Sequence, residues 1–164
     1  MADESGGVSI FVSYAHEDEE LKKELDKYLK VLRRSSKVRI WNDRELIAGQ
    51  EWDEAIMSEL GKADIILLLI SVDFNASDFI WDKELDAAMK RHEAGTARVV
   101  PIILRKCDWN RLPYAKLQAL PRNGRPVLDY ASRDDAFTEI AEGVARLLDS
   151  INGRIKSTVQ TSSQ

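Results

Sequence analysis

Cysteine is nearly absent from this sequence, since Cys107 is the single one among 164 residues. One cysteine cannot form an internal disulfide, so the chain fits a reducing compartment and depends on its hydrophobic core for stability. Histidine is scarce as well. His16 and His92 lie far apart, with no cysteine or carboxylate at metal-ligand spacing, and neither has an obvious route to the thiol. We therefore interpret Cys107 as a structural thiol, both histidines as surface or boundary residues, and expect no metal site.

Long hydrophobic runs are also missing. The most hydrophobic segment, Ile65–Ile70, has six residues, whereas a membrane-spanning helix needs about 18 or more. The first residues, MADESGG, form an acidic leader without the apolar core of a signal peptide. A net charge of −4 with mixed signs does not suggest a nucleic acid or an anionic membrane as partner. The sequence thus predicts a cytoplasmic protein that binds neither nucleic acid nor membrane.

Two phosphate chemistries that are common in α/β proteins lack their residues here. None of the eight glycines forms a G-x-G-x-x-G or G-x-x-x-x-G-K-[ST] cluster after a strand. A phospho-acceptor receiver domain needs a carboxylate pair after its first strand and an aspartate after its third. This chain has Ser13-Tyr14 and Ser71 at those two places. Both classes are excluded.

The regular feature of the sequence is an alternation of short apolar strands with amphipathic helices. It predicts one α/β domain of flavodoxin-like architecture, a five-stranded parallel sheet in the order 2-1-3-4-5 with helices on both faces. We place a disordered leader at residues 1–7, the domain at residues 8–151, and a linker or tail at residues 152–164. The predicted strands are Val8–Ser13, Val38–Trp41, Ile65–Ile70, Val99–Leu104 and Pro126–Leu128.

The segment Ser71–Glu93 follows the most apolar strand and carries the candidate site. Its helical stripe of buried positions is predicted at 81, 85, 88, 89 and 92, with Glu84 one place off the stripe at the border of the core. Ligands of such sheets bind beyond the carboxyl ends of the strands at the switch point, here Ser13-Tyr14 and Ser71. Glu84 is therefore either a boundary residue or a catalyst.

Four segments, taken in order, resemble the conserved boxes of bacterial Toll/interleukin-receptor (TIR) domains over roughly residues 8–151. Their order makes the resemblance specific, although each box alone is loose. The segments are Ile10–Ala15 with the acidic run behind it, Val38–Trp52, Ala63–Ser71 followed by Lys83-Glu84-Leu85, and Val99–Trp109 followed by Lys116–Pro121.

The resemblance implies an NAD+ nucleosidase, since many TIR domains cleave NAD+ with a glutamate on the helix after the third strand. Glu84 occupies that place and is the implied catalytic residue. The aromatic residue is often four positions before the glutamate, whereas Trp81 lies three before and Phe79 five before, so either ring could stack on substrate. The implied substrate-binding residues are Ser13, Tyr14, Asp43, Arg44, Phe79 and Trp81.

One carboxylate is enough for this reaction. Nicotinamide leaves as a neutral molecule, so the general acid that an ordinary glycosidase requires is not needed. The remaining task is to stabilise an oxocarbenium-like ribosyl centre, which a positioned carboxylate can do in a partly dry cleft. We expect NAD+ as substrate and no cofactor, and leave open whether the product is linear or cyclic ADP-ribose.

The loop after the second strand admits two interpretations. The first is a solvated charged loop. The second follows from the resemblance, in which this loop packs against a neighbouring TIR domain through Arg44, Glu45 and Gly49 and completes a shared site. That interpretation implies a homo-oligomer or filament on activation, a fused or separate sensor domain, and an effector role in bacterial antiviral (anti-phage) defence signalling. The alternative is a non-catalytic adaptor that assembles through the same loop.

Overall fold

The sheet consists of four parallel strands in the order β2-β1-β3-β4. The computed structural model describes residues 7–41 and 52–162, with side chains described at 7–41 and 54–153. The predicted parallel α/β fold and the order 2-1-3-4 are confirmed. The strands are β1 (Val8–Ser13), β2 (Val38–Trp41), β3 (Ile65–Ile70) and β4 (Arg98–Ile103).

The prediction of a fifth strand at Pro126–Leu128 is wrong. Val127–Asp129 forms a 3₁₀ turn, and the place beside β4 is taken by Leu120, which makes a one-residue parallel bridge with Ile102. The hydrogen bonds explain why no strand develops here. Backbone groups alternate sides along a strand, so after Leu120 the next N–H that would face β4 is that of Arg122, and it donates to the Glu139 carboxylate instead.

Helices cover both faces of the sheet, as predicted. The alternating side chains of β3 divide between two cores, with Ile66, Leu68 and Ile70 in one and Ile65, Leu67 and Leu69 in the other. No described helix is both long enough and apolar enough to cross a membrane. The helices are α1 (Glu19–Ser35), α2 (Trp52–Lys62), α3 (Val72–Ala76), α4 (Asp86–Glu93) and α5 (Arg133–Ser162).

The two cores contain different helices. Leu25 and Leu29 of α1 pack with Phe137 of α5 in one core. Ile56 of α2 and Ala88 of α4 lie in the other. Helix α5 continues past residue 152, where the linker or tail is predicted to begin, as far as Ser162. The division into leader, domain and tail stays a prediction.

Pro101 lies inside β4 without breaking it, because its missing N–H faces away from β3. Leu104 N–H donates to Ile70 in β3, and backbone groups alternate sides along a strand, so even-numbered residues of β4 face β3. Pro101 faces the other way, and its carbonyl accepts a bond of 2.9 Å from Leu120 N–H. Pro101 therefore removes no backbone hydrogen bond between β4 and β3.

Two substitutions test which backbone N–H positions of β4 face β3. Pro101→Ala should change the free energy of unfolding by less than about 1 kcal/mol, because no ladder bond is gained or lost. Val100→Pro, one residue earlier, removes a donor that faces β3 and should cost about 3 kcal/mol or more. Urea unfolding followed by circular dichroism measures both, and equal losses would contradict this orientation of β4.

Candidate functional site

A cavity of about 530 Å³ opens at the carboxyl ends of β1 and β3, where the topology predicts a ligand site. Its walls come from the end of β1 and the segment after it, from α1, β2 and α2, and from the residues between β3 and α4. The cavity is large enough for a small organic ligand. The described residues that line it are Phe11, Val12, Tyr14, Ala15, His16, Glu17, Lys22, Trp41, Ile56, Asp73, Ala76, Ser77, Phe79, Ile80 and Glu84.

Glu84 is buried, which corrects the prediction that it borders the core. Its exposed fraction is 6%, because residues Ile80–Leu85 form a π-helical turn. Such a turn closes i→i+5 hydrogen bonds and so places one extra residue in the turn. The register of the inward face shifts: Ile80 and Glu84 point inward together with Leu85, whereas Trp81 is only half-buried. Turns of this kind recur at functional sites.

Ser13 and Glu84 meet in the wall of the cavity. The Ser13 hydroxyl donates a hydrogen bond of 2.8 Å to Glu84 Oε1, and Ser13 itself is 1% exposed. Burial raises the pKa of Glu84 to about 7, and the Ser13 hydrogen bond works against that rise. The carboxyl is thus poised to change its charge near neutral pH. Ser13 is predicted to bind substrate, and in the structure its hydroxyl lies on Glu84.

The two candidate aromatic rings have different surroundings. Phe79 lines the cavity, with Lys83 Nζ 5.7 Å from the centre of its ring. Trp81 is not among the described lining residues and packs against the core beside α4. Its indole nitrogen is buried, with no hydrogen-bond partner within the described part of the chain. The structure therefore brings Phe79 to the cavity and leaves Trp81 outside it.

Tyr14 also lines the cavity. Its hydroxyl donates a 2.6 Å hydrogen bond to Glu19, and Lys22 Nζ lies 5.3 Å from the centre of its ring. Four predicted residues of the loop after β2, namely Asp43, Arg44, Glu45 and Gly49, lie outside the described residues. The structure thus places Ser13, Tyr14, Phe79 and Glu84 at one site.

A second polar cluster at this end of the sheet was missed by sequence reasoning. Asp18 is 2% exposed, accepts a hydrogen bond of 2.5 Å from Ser71 Oγ, and pairs with Arg105. Arg105 also pairs with Asp73 of α3. Asp18 stands in an acidic run that suits the start of a helix, and that pattern concealed its burial. The sequence offered one signal for this cluster: its residues follow the predicted strands β1, β3 and β4, and the carboxyl ends of parallel strands meet at one edge of the sheet.

The described residues contain no cluster of three or more His, Cys, Asp or Glu side chains that could hold a metal ion. Cys107 is half-buried, and burial raises the pKa of its thiol. A nucleophilic cysteine needs the opposite shift, because the thiolate is the reactive form. The thiol accepts a long contact of 3.8 Å from the Asn75 amide. This environment fits the interpretation of Cys107 as a structural thiol.

The chain belongs to the TIR domain family, whose model matches residues 10–146. That family includes both NAD-hydrolysing enzymes and adaptors. A curated relative is the uncharacterized protein y4lF of Sinorhizobium fredii, 46% identical over 136 residues. The match covers 83% of this chain and 42% of that protein, so the chain spans less than half of the relative's length.

Two solved structures are similar to this chain. The RPS4 and RRS1 TIR domain heterodimer matches with a TM-score of 0.56 at 13% identity, over 87% of this chain and 98% of that one. The TIR domain of the Toll-related receptor TRR-2 from Hydra magnipapillata matches with a TM-score of 0.43 at 23% identity, over 65% and 75%. The first of these matches shows that the fold is shared.

Removing the Ser13 hydroxyl should raise the pKa of Glu84 above about 7, because the hydrogen bond that favours the ionised form is lost. The carboxyl carbon of Glu84, followed by NMR as a function of pH in Ser13→Ala and in the unchanged protein, measures the shift. Ser35→Ala, an exposed serine on α1, is the matched control and should leave that titration where it is. An unchanged pKa in Ser13→Ala would contradict the Ser13–Glu84 contact.

Burial of Glu84 should also make stability depend on pH. Because its pKa is raised, the Glu84 carboxyl of the folded protein keeps its proton as the pH rises from 4.5 to about 7. In the unfolded chain the same carboxyl has the ordinary pKa of 4.5 and loses its proton over that range. The folded state then binds more protons, so the free energy of unfolding falls across this window. Glu84→Gln removes the effect and should become more stable than the unchanged protein as pH rises, by up to about 3 kcal/mol above pH 7.

Urea unfolding of both proteins at about pH 4 and about pH 8 checks this expectation. The isosteric amide keeps an oxygen for the Ser13 hydroxyl to donate to, so the two proteins should be close in stability at the lower pH. A difference of the same size at both pH values would show that Glu84 titrates as an exposed glutamate does.

Proposed function

We propose that this TIR domain is an NAD+ nucleosidase with Glu84 as its catalytic carboxylate. The observation that carries the proposal is the buried Glu84 carboxyl, held 2.8 Å from Ser13 Oγ in the wall of the cavity. A glutamate is rarely buried unless it is paired or hydrogen-bonded. Within the described residues, Glu84 has one such bond, from a neutral hydroxyl, and it faces a space that can admit a ligand. Perturbed carboxyls in clefts are candidates for catalysis.

The reaction balances without a second carboxylate. The bond between ribose C1′ and the pyridinium nitrogen breaks, and its electron pair goes to nicotinamide, which leaves uncharged. The positive charge moves to the ribosyl centre, where an ionised Glu84 stabilises it at short range in a site that excludes part of the water. Water then forms the new bond to C1′ and loses a proton, which yields ADP-ribose. Attack by an adenine nitrogen of the same molecule instead gives a cyclic product.

The raised pKa of Glu84 is compatible with this role. An ionised carboxylate is required, and with a pKa of about 7 a substantial fraction is ionised at neutral pH. A substrate carrying a pyridinium cation would stabilise the ionised form further, because opposite charges attract strongly in a partly buried site. The side chains beside it fit the substrate as well. Phe79 offers a ring face in the cavity wall for stacking.

Release of nicotinamide from NAD+ by the purified protein, followed by chromatography, tests the proposal. Release should rise with pH through about 7 as Glu84 ionises, and Glu84→Gln should lower the rate about a hundredfold or more. Glu93→Gln, an exposed carboxylate on α4, is the matched control. If Glu84→Gln releases nicotinamide about as fast as the unchanged protein, Glu84 is not the catalytic carboxylate.

We further propose that the domain is active as an assembly, in which the loop of residues 42–51 from one copy completes the site of the next. Self-association through Arg44, Glu45 and Gly49 rests on the family resemblance, since those residues lie outside the described part of the chain. The RPS4 and RRS1 TIR domains form a heterodimer, which supports TIR–TIR contact as a mode of assembly. A head-to-tail contact of this kind can grow into an open filament.

Mixing two inactive variants should restore activity if neighbouring copies share a site. Arg44→Ala keeps Glu84 and Glu84→Gln keeps the loop, so a mixed assembly contains some complete sites. The unchanged protein should show specific activity that rises with concentration, because the competent state is scarcely populated in dilute solution. Constant specific activity, together with no rescue on mixing, would point to a site completed within one copy.

The alternative function is a non-catalytic adaptor that assembles through the same loop. Folded, concentrated protein that releases no nicotinamide would favour it. In either case we propose other TIR domains and a fused or separate sensor domain as partners, and a cytoplasmic effector role in bacterial antiviral defence. Neither proposal involves nucleic acid or membrane.

A further inference from the structure

Four polar side chains outside the Ser13–Glu84 pair form a connected network at the carboxyl ends of the strands. Asp18 and Ser71 are 2% and 0% exposed, and Arg105 and Asp73 are each about one third exposed. Asp18 Oδ2 accepts a hydrogen bond of 2.5 Å from Ser71 Oγ, and Asp18 Oδ1 lies 3.0 Å from Arg105 Nε. Arg105 Nη2 lies 2.5 Å from Asp73 Oδ2. One guanidinium therefore joins two carboxylates.

The network ties together two walls of the cavity. Asp18 directly follows His16 and Glu17, which line the cavity after β1. Asp73 lines it from α3. Arg105 follows β4 and is not among the described lining residues. Its bonds thus join two walls that come from distant parts of the chain.

Asp18 needs this partner more than an exposed aspartate would. A buried carboxylate is stable only if it is paired and hydrogen-bonded, and removing one partner leaves its charge uncompensated. Ser71 supplies one neutral donor, and Ser71 Oγ in turn accepts a hydrogen bond from Phe74 N–H at the start of α3. Arg105 supplies the positive charge. Without Arg105, a buried Asp18 carboxylate is unfavourable, so we expect Asp18 and the residues before it to move toward water.

The fork of an arginine is well suited to this place. Nε and Nη2 both lie within hydrogen-bond distance of Asp18, at 3.0 and 2.9 Å, and Nη2 also reaches Asp73. A lysine would place a single point charge there and could not hold both carboxylates in the same fixed geometry. The geometry of the contact thus distinguishes a positioning role from simple neutralisation.

We propose that Arg105 is a positioning residue, which holds the His16–Asp18 segment and α3 as fixed walls of the cavity by compensating the buried Asp18. It acts on ligand binding through those walls rather than by touching ligand. The kinetic part of the test rests on the proposed NAD+ cleavage, whereas the spectroscopic part does not.

The two histidines of the chain provide a direct measurement. In untagged protein labelled with ¹⁵N at histidine alone, two backbone amide signals are expected, one from His16 in the wall and one from His92 in α4. Arg105→Gln should shift the His16 signal and leave that of His92 in place. Arg105→Lys should shift His16 by a smaller amount, and it serves in place of Arg105→Gln if that variant does not fold.

A double substitution separates compensation from direct action. Asp18→Asn removes the buried charge while keeping an oxygen for Ser71 to donate to, so Asp18→Asn/Arg105→Gln should return the His16 signal most of the way. Arg91→Gln is the matched control. Arg91 donates to the Leu60 and Ala63 carbonyls. These residues precede the amino end of β3, whereas the network lies at its carboxyl end, so loss of Arg91 should shift His92 and leave His16.

Kinetics supply the second readout. Arg105→Gln should raise KM for NAD+ roughly tenfold with kcat within about twofold, because loosened walls weaken binding while Glu84 and Ser13 stay in place. The double variant should recover most of that loss. If the unchanged protein cleaves no NAD+, the proposed function fails, and the histidine signals decide the positioning role by themselves.

Three results would overturn the proposal. An unchanged His16 signal in Arg105→Gln would show that the network does not hold the wall. Equal disturbance of His16 and His92 would show a general loss of stability. Failure of the double variant to recover the His16 signal would show that Arg105 does not act by compensating Asp18.

Discussion

The constraint on which the structure depends is the complete burial of β3 between two helical layers. All six of its residues are buried, and its side chains alternate between the two cores. A strand with no polar position has to lie inside a sheet, with β1 on one side and β4 on the other. The chain then leaves β1 and β3 at the same edge. The end of β1 and the segment after β3 therefore build one cavity.

Two buried carboxylates at that edge are stabilised in different ways. Glu84 has a hydrogen bond from the neutral Ser13 hydroxyl, and burial raises its pKa to about 7. Asp18 has both a hydroxyl and a guanidinium as partners. The two carboxylates therefore suit different tasks. Glu84 can ionise near neutral pH and so can stabilise a developing cation. The charge of Asp18 is compensated by its partners, so Asp18 can hold its segment in a fixed position. We propose that this edge of the sheet combines a reactive carboxylate with a rigid wall.

Sequence patterns predicted the parallel sheet, the order of its first four strands and the place of the site, because these follow from hydrophobic periodicity and from rules of chain connection. The fifth strand was predicted wrongly. A short apolar run at Val127 satisfies the strand pattern, but the pairing partner beside β4 is Leu120, and the pairing ends after one residue because the Arg122 N–H donates to Glu139. Pairing across a sheet is a tertiary property that a run of residues does not encode locally.

By itself, the sequence determined that Glu84 lies on the helix after β3, close to the end of β1. Only the tertiary structure decided that it is buried, because a period of 3.6 residues puts it off the inward face and the π-helical turn at Ile80–Leu85 moves it onto that face. The same holds for Arg105 and Asp18, separated by more than eighty positions. Their charges look like solvated surface in the sequence, since the burial that makes the pair matter arises only when the strand ends meet.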